Sequence, residues 1–500
     1  MFLRQFPDSR RFKELAQEHN VVPVCVEILA DSQTPVSLLQ KIYKHKSPLF
    51  LFESVEGGER WGRYSFIGAS ARCFISVYSE FVLIEEKGSV KKIPHLGDPF
   101  NILKGFMSHF NPAFMPELPR FWGGLVGYMN YETVSFFEKI PNFLSEDKPI
   151  AQFIIPDEIL IFDNIRNTLM CVVITFLDDT NNLDLEFESA MARIYSTFDM
   201  LHQPVAEDEK TAEKGDYNLK PVFEGETYRS FVKKVKEYIL AGDVIQAVIS
   251  QPFTCDCPGD LLSLYRVQRY VNPSPYLFFM HIDDIVLVGS SPETMVRLEN
   301  GIANLRPIAG TRPRGADEKE DNDLAEELLA DEKERAEHLM LVDLGRNDLG
   351  RVAQTGSVEV TDLMKVERYS HVMHIVSNIT CRLKQDCDAW DLIRATFPAG
   401  TLSGAPKVRA MEIIAELEKG PRGPYGGAVG YISFNGNMDM AITIRTACVE
   451  NNRLTVRAGA GIVYDSDPER ERIETVNKAM SIQRTLQLMQ DATSERRYMI

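Results

Sequence analysis

At 500 residues, 44% apolar and 25% charged, with 31 glycines and 26 prolines spread along the chain, the sequence is that of a globular protein of two or three domains, and wholesale disorder and collagen-like order are excluded. Its formal charge of −17, from 55 basic and 72 acidic residues, would repel phosphate backbones and anionic lipid. No basic patch offsets that charge, so neither nucleic acid nor a membrane is an expected partner.

The chain starts with Arg4, Arg10 and Arg11 and has no apolar h-region there; no stretch approaches the roughly 20 apolar residues of a membrane span, so a cytoplasmic location is expected. Runs at 154–162 and 169–176 read as strands, and the glycine-punctuated FWGGLVGY at 121–128 as a strand or turn packed closely on a neighbour. Residues 203–222 (QPVAEDEKTAEKGDYNLKPV) have almost no large apolar side chain and are dense in charge, the composition of a linker. The boundaries drawn are 1–205 for an N-terminal region, 206–222 for the linker and 223–500 for a C-terminal region. A helix follows at 226–241, with Tyr228, Phe231, Val232, Val235 and Ile239 as its apolar stripe and Gly242 as its stop. Runs at 244–252, 276–281, 285–289, 427–434, 440–449 and 454–463 then read as strands, several joined by short Asn/Asp/Gly turns. Many adjacent strands with interspersed long helices indicate an α+β architecture of antiparallel sheets covered by helices. The eight cysteines (Cys25, Cys73, Cys171, Cys255, Cys257, Cys381, Cys387 and Cys448) lack repeated CxxC spacing and are expected to be reduced and structural.

Two charged helices carry candidate chemistry. In 331–344, Glu334 and Glu337 lie one turn apart on one face; in 468–488, Glu471, Glu474 and Lys478 share a face while Ile473, Val476 and Met480 point another way, and Asp467-Pro468 supplies the start signal. Four carboxylates without a His/Cys cluster suit a hard cation such as Mg²⁺, which takes few protein ligands, although glutamates three apart are also commonplace on solvated helices. RAGAG at 457–461 and GTLSGAPK at 400–407 can present N–H groups, hydroxyls or a lysine to an anion. Neither is a Walker loop or a dinucleotide fingerprint, and each alone reads first as a tight turn. His374, within HVMHIVSNI at 371–379, has the setting of a hydrogen-bonded core histidine.

The order and spacing of these stretches change that reading. GDVIQ at 242–246 with Ser250-Gln251, NPSPY at 272–276, SSPE at 290–293, PIAGT at 307–311, KERAEHLMLVDLGRND at 333–348, GTLSGAPK at 400–407 and AGAGIVYDSDPERERIE at 458–474 form one ordered series. In it the chain resembles, over nearly its whole length, the chorismate-utilising enzymes: the anthranilate, aminodeoxychorismate, isochorismate and salicylate synthases, and most fully the large subunits of the first. The resemblance implies two large antiparallel β-sheets packed as a sandwich and flanked by helices, with the active site in the C-terminal region. It implies Mg²⁺ as cofactor, with Glu337 and Glu474 as direct ligands and Glu334 and Glu471 as an outer pair contacting the ion's waters. Tyr425 and Arg445 match contacts to the enolpyruvyl carboxylate of chorismate, the amides of Gly459, Ala460 and Gly461 match those to its ring carboxylate, Lys478 is the basic neighbour, and Gly310 and Thr311 of PIAGT belong to the substrate pocket.

Catalytic roles follow from the same resemblance. Glu293 matches the general acid that protonates the departing C4 hydroxyl, and His374 the histidine of the second step, loss of pyruvate and aromatisation; Thr401 lies in the same pocket. Water-using relatives place a lysine base where this chain has Gln246, and an amide cannot deprotonate water. Aminodeoxychorismate synthases typically place a nucleophilic lysine where this chain has Ala309. Both positions point to ammonia as nucleophile and anthranilate as product.

In the N-terminal region, Phe52-Glu53-Ser54 resembles the LLES segment that binds feedback tryptophan, closed from the other region by Asn272, Pro273, Ser274, Pro275 and Tyr276. Phe52 stands where the family has leucine, and Arg63 lies near, but out of register with, the customary lysine. No glutaminase region with a nucleophilic cysteine and downstream histidine is evident, so a separate glutamine amidotransferase subunit is the expected ammonia source. The rival readings are a water-using isochorismate or salicylate synthase with an unusual Gln246, and a non-catalytic tryptophan-sensing scaffold.

Overall fold

The computed structural model of the chain describes residues 1–54, 62–178, 182–204, 215–369 and 372–495. Its strands are apolar at successive positions because most are buried on both faces. In Leu49–Glu53, Leu51 points into one core and Phe50 into another; in Tyr276–Ile282, Leu277 and Phe279 go one way, Phe278 and Met280 the other. This period of two sorts the side chains into three layers of core.

The strands form two large sheets. A 13-stranded sheet runs in the order Phe2–Phe6, Val21–Leu29, Thr168–Phe176, Glu158–Asp163, Tyr64–Gly68, Leu49–Glu53, Tyr276–Ile282, Ile285–Ser291, Thr446–Glu450, Arg453–Ile462, Gln246–Asp256 and Lys220–Pro221, with Gly404–Ala405 also paired to Gln246–Asp256. A 12-stranded sheet runs from Ile308–Pro313 through Val372–Arg382, Ile302–Leu305, Thr294–Glu299, Met438–Ile442, Ala428–Ser433, Gly124–Met129 and Ala151–Ile155 to Cys73–Val77, Phe81–Glu86 and Ser89–Pro94, with Glu359–Arg368 also paired to Val372–Arg382. The pairing is antiparallel throughout these ladders. Phe50, Phe66, Phe278 and Met280 of the first sheet meet Val126, Tyr128, Val429 and Tyr431 of the second in one buried layer. Helices cover both outer faces: Ser9–Ala16, Leu183–His202, Leu261–Val271 and Pro468–Glu495 on the first sheet, and Pro99–Met107, Glu332–Gly350 and Ala389–Thr396 on the second. Each fully buried phenylalanine contributes about 2–3 kcal/mol of burial, so this layer contributes heavily to stability. The sandwich flanked by helices is the architecture expected from the sequence.

Both sheets draw strands from either side of the boundary at 206–222. Of that stretch, 206–214 lie outside the described residues; Lys220–Pro221 pairs with Phe253 and Thr254 on the sheet edge, and the Leu219 N–H donates to Gln483 at 2.7 Å.

Two expected strands are corrected. The run 154–162 is two strands, Ala151–Ile155 and Glu158–Asp163, one in each sheet; Pro156 between them has no N–H to continue a ladder. The run 440–449 is likewise Met438–Ile442 and Thr446–Glu450, one in each sheet, broken where Arg445 takes φ +49°. The close packing expected at FWGGLVGY holds: a Cβ on Gly127 would stand 2.0 Å from the Gln152 carbonyl oxygen. None of the eight cysteines is in a disulfide, and among the described residues no helix is long and apolar enough to cross a membrane.

Candidate active site

The candidate residues gather where two strands change sheets. Ile285–Ser291 belongs to the first sheet and Thr294–Glu299 to the second, so Glu293 sits in the crossing; Met438–Ile442 and Thr446–Glu450 cross the other way, with Arg445 between them. The crossings are tied together, the Ile442 N–H donating to the Glu293 carbonyl at 3.0 Å and the Ser290 N–H to the Arg445 carbonyl at 3.2 Å. Glu293 is 8% exposed. Burial pushes its carboxyl up to about 7, opposed by a hydrogen bond from Thr401 Oγ1 (2.9 Å) and by the charges of Arg445 and Lys478. Burial in turn lowers the Arg445 guanidinium from its usual value, and Glu293 opposes the shift. A carboxyl that keeps its proton near neutrality has the protonation state general acid catalysis requires.

His374 lies in Val372–Arg382, opposite Ile308–Pro313, where the register shifts between Ala309 and Thr311 and Gly310 takes φ +66°. That bulge turns the Gly310 carbonyl toward the ring, 2.9 Å from Nδ1, with Thr311 Oγ1 at 3.1 Å. A carbonyl can only accept, so Nδ1 carries the proton and Nε2 is left as the basic nitrogen. Burial lowers the pKa, which keeps the imidazole neutral.

Opposite these groups, Gly459, Ala460 and Gly461 pair with Ser250, Ile249 and Val248. The strand on their other side reaches only to Val456, so from Arg457 onward that edge has no ladder partner among the described residues. The absence of side chains lets other groups approach: a Cβ on Gly459 would stand 2.7 Å from the Tyr425 hydroxyl, and one on Gly461 would stand 2.1 Å from Gln246 Nε2. Lys478 Nζ donates to the Gly459 carbonyl at 2.9 Å and pairs with Glu474 at 2.8 Å.

The four glutamates occupy the starts of two helices. Asp331 caps Glu332–Gly350 and Asp467 caps Pro468–Glu495 through their side chains. Glu334 and Glu471 are both raised from their usual values by burial, with Glu337 repelling the first and Glu474 the second. The charge of Lys333 in one helix acts to lower Glu471 in the other, so the two N-terminal turns lie near each other. Glu337 accepts from Gln246 Nε2 at 3.2 Å, and Gln246 Oε1 is buried without a partner. Among the described residues no three His, Cys, Asp or Glu side chains converge on one point. The donor set still fits Mg²⁺, which needs few direct protein oxygens: two carboxylate pairs carry mutual repulsion that a divalent cation would relieve.

The two segments of the expected tryptophan site are neighbours, since Leu49–Glu53 and Tyr276–Ile282 pair with Glu53 opposite Leu277. Ser54 follows the strand end. The Glu53 carboxylate takes the Tyr265 hydroxyl at 2.7 Å and Arg269 Nε at 2.5 Å; Asn272 and Ser274 hold Ser290, and the Tyr276 hydroxyl donates to Asp439. Arg63 is paired with Asp163. A cleft of about 590 Å³ lined by Arg72, Phe74, Phe176 and Arg193 shares none of these residues.

Sequence reasoning missed the support beneath the site. Glu418, 2% exposed at its side chain, is gripped by Arg422 (2.6 Å) and Arg457 (2.7 Å) and accepts from the Ser250 N–H and hydroxyl. One signal was available: Glu418 falls on the apolar stripe of Ala410, Met411 and Ile414 in Lys407–Glu418, where an unpaired carboxylate would be costly. Lys407, offered by its motif as an anion ligand, instead spends its ammonium on Asp348 (2.7 Å) and the Thr396 carbonyl.

The family profile described as chorismate binding enzyme matches residues 59–484. The chain is 47% identical to "Anthranilate synthase component 1" of Aquifex aeolicus over 492 residues, covering 97% of this chain and 98% of that one. The crystal structure of anthranilate synthase component I from Streptococcus pneumoniae superposes with a TM-score of 0.73 at 35% identity, over 91% of this chain and 98% of that one. The menaquinone-specific isochorismate synthase MenF of Escherichia coli shares the fold, with a TM-score of 0.69 at 19% identity over 95% and 98% of the two chains.

Proposed function

The chain belongs to the chorismate-binding enzymes and, within them, to the anthranilate synthase large subunits, and from that premise we propose that it aminates chorismate with ammonia from a glutaminase subunit, in a Mg²⁺-dependent reaction, then eliminates pyruvate to leave anthranilate. This is cytoplasmic chemistry at the entry to tryptophan synthesis, restrained by tryptophan bound between Glu53-Ser54 and 272–276. The observation that carries the reading is the Glu293 carboxyl, buried in the sheet crossing, raised to about 7 and placed between Thr401 and Arg445.

Glu337 and Glu474 would hold the ion and Glu334 and Glu471 its waters, and the ion would neutralise the ring carboxylate, which an acidic protein needs in order to bind a dianion. The Gly459–Gly461 edge and Lys478 receive that carboxylate; Tyr425 and Arg445 receive the enolpyruvyl one. Glu293 gives its proton to the C4 oxygen as ammonia bonds to C2, the ring double bonds shift and the C4–O bond breaks. Gln246 deprotonates nothing; ammonia arrives already nucleophilic. Nε2 of His374 then takes the C2 proton, the C2–N bond stays, the enolpyruvyl C–O bond breaks and the ring becomes aromatic, while the released enol takes up a proton as pyruvate.

The purified chain is expected to turn over chorismate with Mg²⁺ and ammonium but not with glutamine. Robust glutamine-dependent turnover by this chain alone would remove the separate glutaminase from the account.

A further inference from the structure

The turn that carries Tyr425 is held from the other half of the chain. Just after strand Gly124–Met129, the 3-10 helix Tyr131–Phe136 begins, and its first residues grip 422–427 at several points. The Glu132 carboxylate, 3% exposed, accepts the Arg422 backbone N–H at 2.7 Å and the Gly423 N–H at 3.2 Å. The Tyr131 N–H donates to the Gly423 carbonyl at 2.8 Å, and its ring lies 4.6 Å from the Arg422 guanidinium. Gly427 approaches so closely that a Cβ there would stand 1.9 Å from the Met129 carbonyl oxygen.

The Arg422 side chain, 1% exposed, carries the grip inward. Nη1 donates to the Leu402 carbonyl at 2.7 Å, Nη2 to the Val248 carbonyl at 2.7 Å, and the fork closes on Glu418. Leu402 follows Thr401, and Val248 lies two residues beyond Gln246 in the strand that pairs with Gly459–Gly461. The Tyr425 ring is 5.8 Å from the same guanidinium.

We infer that Glu132 is a positioning residue for the reaction: by fixing the main chain at Arg422 and Gly423, it sets where the Tyr425 hydroxyl meets the substrate and seats the guanidinium beneath Thr401 and the 246–250 strand. The inference rests on the reading of Tyr425 as a substrate contact. A carboxylate can accept from both N–H groups at once, and such charge-assisted bonds are the stronger kind. A carboxamide of the same shape offers one acceptor and sets its NH₂ against the second N–H. Glu132→Gln therefore loosens this turn without opening a cavity.

The test is a double-mutant cycle in the full chain, assayed with chorismate, Mg²⁺ and ammonium. Glu132→Gln should lower kcat/KM for chorismate about tenfold or more, since small displacements of a positioned group are costly, with KM for ammonium unchanged. Tyr425→Phe should also lower it, and the double variant should fall by clearly less than the product of the two single effects, because the two substitutions share their action on one hydroxyl. Single effects that multiply in the double variant would overturn the inference. So would parental kcat/KM in Glu132→Gln, including the case where only its thermal stability falls. If Tyr425→Phe itself keeps parental kcat/KM, the reading of Tyr425 as a substrate contact fails and the inference falls with it. Should Glu132→Gln not fold, Glu132→Asp, which withdraws the carboxylate by one methylene, carries the same cycle.

Discussion

Burial acts on Glu293 and His374 in opposite directions, and both results suit the roles proposed for them: it holds a proton on the carboxyl and keeps one off the imidazole. Because the acid works protonated, kcat/KM for chorismate should fall as pH rises through about 7. Thr401→Val removes the hydrogen bond that opposes the shift, so the surviving activity should show its alkaline limb at higher pH; a limb at the parental pH would mean that Glu293 is not the titrating group. The same shift has a sign for stability. The folded pKa lies above the usual carboxylate value of 4.5, so the stabilisation is fully present below that value and is lost as pH rises through about 7. Glu293→Gln should therefore gain on the parent above pH 7, by up to ~3 kcal/mol at roughly 1.4 kcal/mol per pH unit, while leaving chorismate unconsumed. His374→Met should still aminate but stall, so that aminodeoxyisochorismate accumulates with little pyruvate. Chromatography that finds chorismate untouched and no intermediate would take the second step away from His374.

At the scale of elements, two helix starts and one strand pair carry the remaining expectations. Glu337→Gln or Glu474→Gln should cut turnover by more than about 100-fold, with a raised Mg²⁺ requirement, while Glu334→Gln and Glu471→Gln, proposed to act through water, should cost about 10–100-fold. Full activity in excess chelator would remove the metal from the mechanism. Pairing of Leu49–Glu53 with Tyr276–Ile282 puts Ser54 at the end of a strand directly beside NPSPY. Ser54→Phe should therefore relieve tryptophan inhibition with uninhibited turnover nearly intact, and an unchanged tryptophan titration would misplace the site. The helix starts and one of the two strands were legible in the sequence: the i, i+3 glutamates, the Asp467-Pro468 start and the apolar run at 276–281 are local signals. Places where a strand leaves its sheet were not. In 154–162 and 440–449 apolar residues resume so soon after the break that two strands read as one; the changes fall at Pro156-Asp157 and at Arg445, which takes a left-handed backbone.

Across the whole molecule, the fold class followed from local patterning, whereas the assembly of the site did not, because its parts are far apart in sequence. Glu132 and Arg422 are 290 residues apart, Gln246 and Glu337 are 91, Thr401 and Glu293 are 108. Roles for Glu293, His374 and the glycine edge came from the resemblance of ordered motifs; no local signal distinguishes His374 from a core histidine, and the Gly310 bulge that fixes its tautomer is a property of the folded sheet. The same topology threads both sheets through both halves of the chain, so the N-terminal region is part of the scaffold that shapes the site. The central claim, ammonia-dependent conversion of chorismate to anthranilate, is tested most directly by product analysis of the purified chain with chorismate and Mg²⁺, with and without ammonium. Anthranilate and pyruvate in equal amounts, formed only when ammonium is present, are the expected result; isochorismate or salicylate formed without ammonium, or no turnover at all, would contradict it.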